Sequence, residues 1–218
     1  MRCLQVHKAL GVTYKGGWRA DRYEGRGVLH FSREHGGEAF KFIGHFRAGL
    51  REGPGVLYRS DGSRLSCTWR ADAPQSPAAR HSADGGVYAG GWANNAPHGL
   101  GVEALPHGRY CGEWAAGQRS GRGVFENYVA RASYAGVWAA GALSGRGNVE
   151  IPGVMSLQGT LQGSPDTGEL TVAAGRLLLV PAAAGVAAPP CPFWSWFVRG
   201  RLETLQVGGN RYKGLRFF

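Results

Sequence analysis

The sequence predicts an all-β repeat fold, an array of β-hairpins, and three observations predict it. One short frame of rings and glycines returns along the chain at steps of roughly 23 residues, and a period in that range belongs to repeat architectures rather than to an ordinary globular domain. Glycine is in excess, 37 of 218 residues, more than twice the roughly 7 % of an average protein. That excess comes with 7 Trp, 8 Tyr and 9 Phe, so tight turns and backbone overlaid by rings are both expected. There is no strict Gly-X-Y period, which excludes collagen, and 43 % hydrophobic residues exclude a chain disordered by composition.

The frame reads aromatic, glycine at +2, aromatic at +4, a small residue or glycine at +7, and glycines at +11 and +13. It occupies YKGGWRADRYEGRGV (14–28), FIGHFRAGLREGPGV (42–56), LSCTWRADAPQSPAA (65–79), YAGGWANNAPHGLGV (88–102), YCGEWAAGQRSGRGV (110–124) and YAGVWAAGALSGRGN (134–148). A faded copy, LQGTLQGSPDTGELT, follows at 157–171. The frame aromatics are Tyr14 and Trp18, Phe42 and Phe46, Trp69, Tyr88 and Trp92, Tyr110 and Trp114, and Tyr134 and Trp138. The frame glycines are Gly16, Gly25 and Gly27; Gly44, Gly53 and Gly55; Gly90, Gly99 and Gly101; Gly112, Gly121 and Gly123; and Gly136, Gly145 and Gly147.

Each offset has a physical role. Offsets 0, +2 and +4 share one face of a strand. The residue at +7 sits where a hairpin must reverse, and glycine, Asp21, Asp72 or Asn95 there suits a positive φ. The glycines at +11 and +13 fall on one face of the returning strand, and a bare strand backbone is acceptable where a ring lies across it. Burying such a ring contributes roughly 1.5–3 kcal/mol, enough to offset the roughly 0.5–1 kcal/mol that a strand glycine costs. The expectation is that rings of one strand lie over the glycines of its neighbours.

The departures follow in chain order. The first step, from Tyr14 to Phe42, is longer than the rest, and the surplus falls in FSREHGGEAF (31–40), read as a longer loop, with a partner contact as the alternative. The third copy loses its late glycines. Pro74 and Pro77 argue against a return strand in a central ladder, so 71–86 reads as an irregular excursion. Beyond 171 the frame is lost. Leu177 to Val198 carries no charge, but Pro181, Pro189, Pro190 and Pro192 within it argue against a spanning helix. A short strand at 176–180, a loop, a strand near 193–205 and a final half-hairpin around YKG (212–214) are expected instead. The organisation is then a lead-in at 1–13, an array at 14–171 and a divergent capping or docking segment at 172–218.

The frame resembles that of the MORN (membrane occupation and recognition nexus) repeat: the copies at 14, 88, 110 and 134 match closely, and the copy at 42 matches with Phe42 and Phe46 in place of Tyr and Trp. The resemblance implies hairpins stacked into one elongated, twisted antiparallel sheet. Two strands per copy at about 4.8 Å spacing would give roughly 10 Å per repeat and on the order of 70 Å for seven copies. It also implies a scaffold or adaptor, since MORN proteins occur in ciliary radial spoke heads, basal complexes and junctional assemblies.

No catalytic constellation stands out. The carboxylates sit at unrelated frame positions. His98 and His107 fall in expected turns, the four cysteines have no metal-ligand spacing, and Ser195 is not in a nucleophile elbow. No enzyme, cofactor or metal is expected. The chain carries a net charge of +10, as 21 Arg and 4 Lys against 15 acids, which suits an anionic partner. Arginine dominance without a dense cluster favours protein carboxylates over anionic lipid, and the rings are committed to the sheet rather than to nucleic-acid bases. In the tail, Trp194, Trp196 and Phe197 with Arg199, Arg201, Arg211, Lys213 and Arg216 have the composition of an interface. The expected function is a non-catalytic subunit of a large assembly in a cilium, flagellum, axoneme or cytoskeleton. An accessory subunit of a mitochondrial complex and an anionic-lipid adaptor are the alternatives.

Overall fold

The computed structural model describes residues 11–32, 40–167, 169–179, 199–207 and 210–217. They form strands joined by turns, in two compact units that meet between Leu105 and Pro106 in the sequence. The first unit holds β1 (Val12–Arg19), β2 (Arg22–Phe31), β3 (Phe40–Arg47), β4 (Leu50–Arg59), β5 (Arg64–Arg70), β6 (Ala73–His81), β7 (Val87–Ala93) and β8 (Ala96–Leu105). The second holds β9 (Gly108–Ala115), β10 (Gln118–Asn127), β11 (Ala132–Ala139), β12 (Ala142–Ile151), β13 (Met155–Ser164), β14 (Glu169–Leu179), β15 (Arg199–Val207) and β16 (Asn210–Phe217). Within each unit the strand order is the chain order. Pairing is antiparallel throughout the first unit and from β9 to β14. The all-β hairpin fold expected from the sequence is the observed one.

The strands form where the frame puts them, and the turns show why. Six hairpins reverse through two consecutive residues of positive φ: Ala20 and Asp21, Ala48 and Gly49, Ala71 and Asp72, Asn94 and Asn95, Ala116 and Gly117, Ala140 and Gly141. Two positive φ values in a row are the type I′ signature, whose twist matches that of the flanking strands. The +7 residue is thus placed as expected. The preceding residue, alanine in five of the six turns, shares the strain.

Just inside each turn the register slips. Gly16 faces Gly27 but Gly17 faces Glu24, and the same slip recurs at Gly44, Cys67, Gly90, Ser120 and Gly136. Five of the six slips hold the +11 glycine at positive φ: Gly25, Gly53, Gly99, Gly121 and Gly145. These are bulge glycines. A side chain on Gly53, Gly121 or Gly145 would meet His45, Glu113 or Val137, and one on Gly25 or Gly99 would meet nothing. The expectation that +11 glycines lie beneath rings is therefore corrected: the bulge turns them away from the ring-bearing face.

The third copy also departs from expectation. Residues 73–81 are not an excursion; they form β6, paired to β5 and β7. The prolines fit because of where they fall. Pro77 stands inside the register slip between Cys67 and Trp69, as Pro54 does one copy earlier. Pro74 faces Trp69 just after the turn, as Pro97 faces Trp92. The pairing of β6 with β7 begins only at Ala78, so neither proline N–H is missed by that ladder. The Ser76 hydroxyl takes the Trp92 amide beyond the ladder's end, at 3.2 Å.

At the other end, β14 runs from Glu169 to Leu179 and completes the hairpin begun by the faded copy. β15 then joins β14 in parallel, against the antiparallel expectation, and pairs with β16 as a last hairpin. The stretch of chain from Leu179 to Arg199 is long enough for a parallel connection, which requires about a dozen residues or more. Most of the loop 31–40 and of the path 172–197 lies outside the described residues.

Candidate functional site

The frame builds an inner face of rings on a file of glycines. In the first unit the file runs Gly16, Gly27, Gly44, Gly55, Cys67, Ala78, Gly90, Gly101, each paired with the next across adjacent strands. In the second it runs Gly112, Gly123, Gly136, Gly147, Gly159, Gly175. Tyr14, Phe42, Tyr88 and Tyr110 each lie across two of these glycines, at +2 of their own strand and +13 of the returning one, so closely that a Cβ would overlap the ring. The expected ring-on-glycine packing holds within each of these hairpins. It fails around Tyr134, where Leu143 is the side chain nearest Gly136 and Leu161 the one nearest Gly147.

The second frame aromatic ties one copy to the one before it. Phe46 packs edge-on against Tyr14, Trp69 against Phe42 and Trp138 against Tyr110, at 5.1, 5.3 and 5.0 Å between centroids. The indole N–H of Trp69 donates to Gly55 O at 3.3 Å, and that of Trp138 to Gly123 O at 3.0 Å. The phenols turn back on their own strands: Tyr14 donates to Gly17 O, Tyr88 to Gly91 O and Tyr110 to Glu113 O. Burial pushes the Tyr110 and Tyr134 phenols up to about 12. They are neutral near pH 7, which suits packing and hydrogen bonding rather than proton transfer.

A position the sequence reading missed is +9, which slides between the ring of its own copy and that of the next. Tyr23 fills it by stacking on Tyr14 at 3.9 Å. Arg51 fills it over Phe42 and Trp69 and reaches Asp72 with Nε at 2.8 Å. Arg119, only 7 % exposed, lies over Tyr110, Phe125 and Trp138 and meets Asp166 at 2.6 Å. The other oxygen of Asp166 takes His107 at 3.1 Å, and the neighbouring Pro165 carbonyl takes the Asn127 amide. The β13–β14 turn is thereby pinned onto β10 and the turn that precedes β9. His107 thus stands in its expected turn but is engaged, while His98 lies on β8 rather than in a turn. Nothing in the local sequence signals Asp166, whose partners stand 47 and 59 residues away.

The opposite, outer face carries the open space. In the second unit a cleft of ≈ 770 Å³ lies over the glycine file of β11–β14, lined by Arg146, Asn148, Gln158, Thr160 and Arg176. In the first, a cleft of ≈ 580 Å³ is lined by His45, Glu52, Pro54, Thr68, Arg70 and Gln75. Among the described residues no group of three His, Cys, Asp or Glu is placed to hold a metal, and no helix is long and apolar enough to cross a membrane. Trp194, Trp196 and Phe197 lie outside the described residues. Arg199 and Arg201 fall on β15, and Arg211, Lys213 and Arg216 on β16, with side chains outside the description. Cys67 and Cys111 are free thiols.

Hairpins in chain order, tied ring to ring between successive copies, define a β-hairpin repeat protein. The model of the MORN repeat matches residues 14–33, 42–64, 88–108 and 110–127. The chain carries MORN repeats at these four segments. No curated protein matches it.

Proposed function

We propose that this is a non-catalytic structural adaptor, a subunit of a larger protein assembly, with a ciliary or flagellar axonemal or cytoskeletal complex as its setting. An accessory role in an organellar complex is the second setting. MORN repeats belong to repeat proteins that mediate protein or membrane interactions. The observation that carries the reading is the division of labour between the faces. The rings and most of the glycines of the frame are consumed in holding the sheet together, while the outer face keeps clefts lined mostly by neutral polar and basic side chains. Clefts of that kind accept carboxylate-bearing protein segments and offer no set of groups for bond-breaking chemistry.

Affinity purification of the protein from its own cells is the direct test. Recovery in a stable complex is expected, and recovery as a free monomer would count decisively against the reading. The tail is the second docking element in this proposal: removing 193–218 is expected to abolish assembly and leave the 14–148 array folded. Anionic-lipid binding is the rival, favoured only by the +10 charge. Flotation with phosphoinositide liposomes at about 0.15 M salt, where charge is screened beyond about 8 Å, should leave the protein in the soluble fraction.

A further inference from the structure

The outer face of β2–β6 carries two parallel files of side chains that the fold itself does not need. Cross-strand pairing sets Val28, Ile43 and Val56 side by side. Two residues along the strands it sets His30, Lys41, Tyr58, Arg64 and His81 in a second file, each directly opposite the next. The first file is half-buried and apolar. The second is a run of hydrogen-bond donors, in which Arg64 Nη2 approaches His81 Nδ1 at 3.3 Å. The two cations, Lys41 and Arg64, stand on either side of Tyr58 with no carboxylate opposite either of them, so cross-strand ion pairing does not account for the file.

Four carboxylates of this unit are already engaged among the described residues. Asp61 and Asp84 accept the amides of Ser63 and Gly86 in their own turns, and Glu24 and Glu52 accept those of Ala48 and Ala71. Lys41 and Arg64 form no ion pair among the described residues. In the second unit the same frame position holds Arg109, Glu126, Ser133, Glu150 and Ser156, with Arg109 bound to Glu126 at 3.2 Å. The donor file is therefore a property of the first unit and not of the repeat.

We infer that the outer face of β2–β6 docks an acidic amphipathic segment of a partner protein, its apolar edge on Val28, Ile43 and Val56 and its carboxylates along the Lys41–Arg64 file. This deepens the adaptor reading and rests on it. A protein segment is favoured over a membrane by the surface's shape. The apolar file is one side chain wide, and the cations stand in a line rather than in the dense cluster of 4–8 that lipid headgroups attract. Adjacent strands lie about 4.8 Å apart, close to the pitch of an α-helix, about 5.4 Å. A helix lying across the strands would meet one side chain per strand.

The test uses the full chain and a fluorescent Leu/Glu peptide with leucines on one helical side and glutamates beside them. A scrambled peptide of the same composition and vesicles of phosphatidylserine in phosphatidylcholine run in parallel. The ordered peptide is expected to bind. Lys41→Glu with Arg64→Glu, and separately Ile43→Ser, should each weaken it by about tenfold or more, a change of about 1.4 kcal/mol. Arg122→Glu, an outer-face change in the second unit, should leave it unaltered. Thermal melting of each variant confirms that the fold survives, and Ile43→Val should keep parent affinity. Equal binding of the scrambled peptide, an equal loss in Arg122→Glu, or no binding at all would overturn the inference. So would vesicle binding that depends on the same residues. Recovery of the cellular protein as a free monomer would instead strike the adaptor reading and leave this result standing.

Discussion

At the scale of single residues, the glycines of the frame divide into two kinds that look alike in sequence. Gly123 lies under the Tyr110 ring and has no room for a Cβ, whereas Gly99 stands in a bulge at φ 74 with open space around it. Gly123→Ala must displace a buried ring and is expected to cost about 1–3 kcal/mol by overpacking. Gly99→Ala meets only the left-handed backbone, about 1–2 kcal/mol. Urea unfolding of the two variants should therefore rank Gly123→Ala as the more damaging, and the reverse order would refute the platform role. The ring-bearing glycines were legible because rings and glycines two apart must share a strand face. The bulge was not, because its slip takes in two residues. A period-2 count passes over it with the faces still correct on either side, and only the glycine between is turned outward.

The buried phenols give a second prediction at this scale. Burial raises Tyr110 from its ordinary value of 10 to about 12. A phenol whose folded value is raised contributes stability that is complete below its unfolded value and is lost as the pH rises through its folded value. The protein should therefore lose stability between about pH 10 and 12. Tyr110→Phe keeps the ring over Gly112 and Gly123 and removes only the hydrogen bond to Glu113 O, so at pH 7 it should cost about 1 kcal/mol. Its disadvantage should shrink or reverse at pH 11. Denaturant melts of parent and variant at the two pH values check this, and a gap independent of pH would refute it.

At the scale of elements, the +9 layer shows what a frame of recurring letters hides. One position holds Tyr23, Arg51, Pro74, Pro97, Arg119 and Leu143 in successive copies, so no residue type marks it. Tyr23, Arg51 and Arg119 each lie against rings of their own copy and the next, a place that exists only once the hairpins are laid side by side. Leu143 holds the same frame position 1 % exposed with no charge, so the chain's own sequence supplies an apolar replacement for Arg119. Arg119→Leu is expected to cost less than the loss of Asp166, since it removes the buried guanidinium itself and leaves Asp166, 26 % exposed, against His107 and solvent. Asp166→Ala leaves the guanidinium buried against three rings without its carboxylate and should cost about 3 kcal/mol. Thermal unfolding ranks the two, and an Arg119→Leu variant as damaged as Asp166→Ala would refute the packing role. The third copy carries the complementary lesson. Pro74 and Pro77 argued against a strand on ladder grounds that are sound in general, but the sheet has positions that demand no donor, and Pro54 and Pro97 already occupied their equivalents.

At the scale of the whole molecule, the described strands of each unit pair with their neighbours in chain order, and this fixes how a local defect spreads. Strands with chain-order neighbours hold stability as a sum of copy and interface contributions, and a lesion weakens its own copy and those it touches. Gly123→Ala lies on β10, whose partners are β9 and β11, and the Trp138 indole bonds to the carbonyl of the same glycine. Hydrogen exchange followed by mass spectrometry should therefore show amide protection falling across β9–β12 in this variant. Among the described residues the strands β1–β4 pair with one another and with β5, and their amides should exchange as in the parent chain. A loss of protection spread evenly over β1–β4 and β9–β12 would mean that the sheet melts as one cooperative body, and the nearest-neighbour account of this repeat would fail.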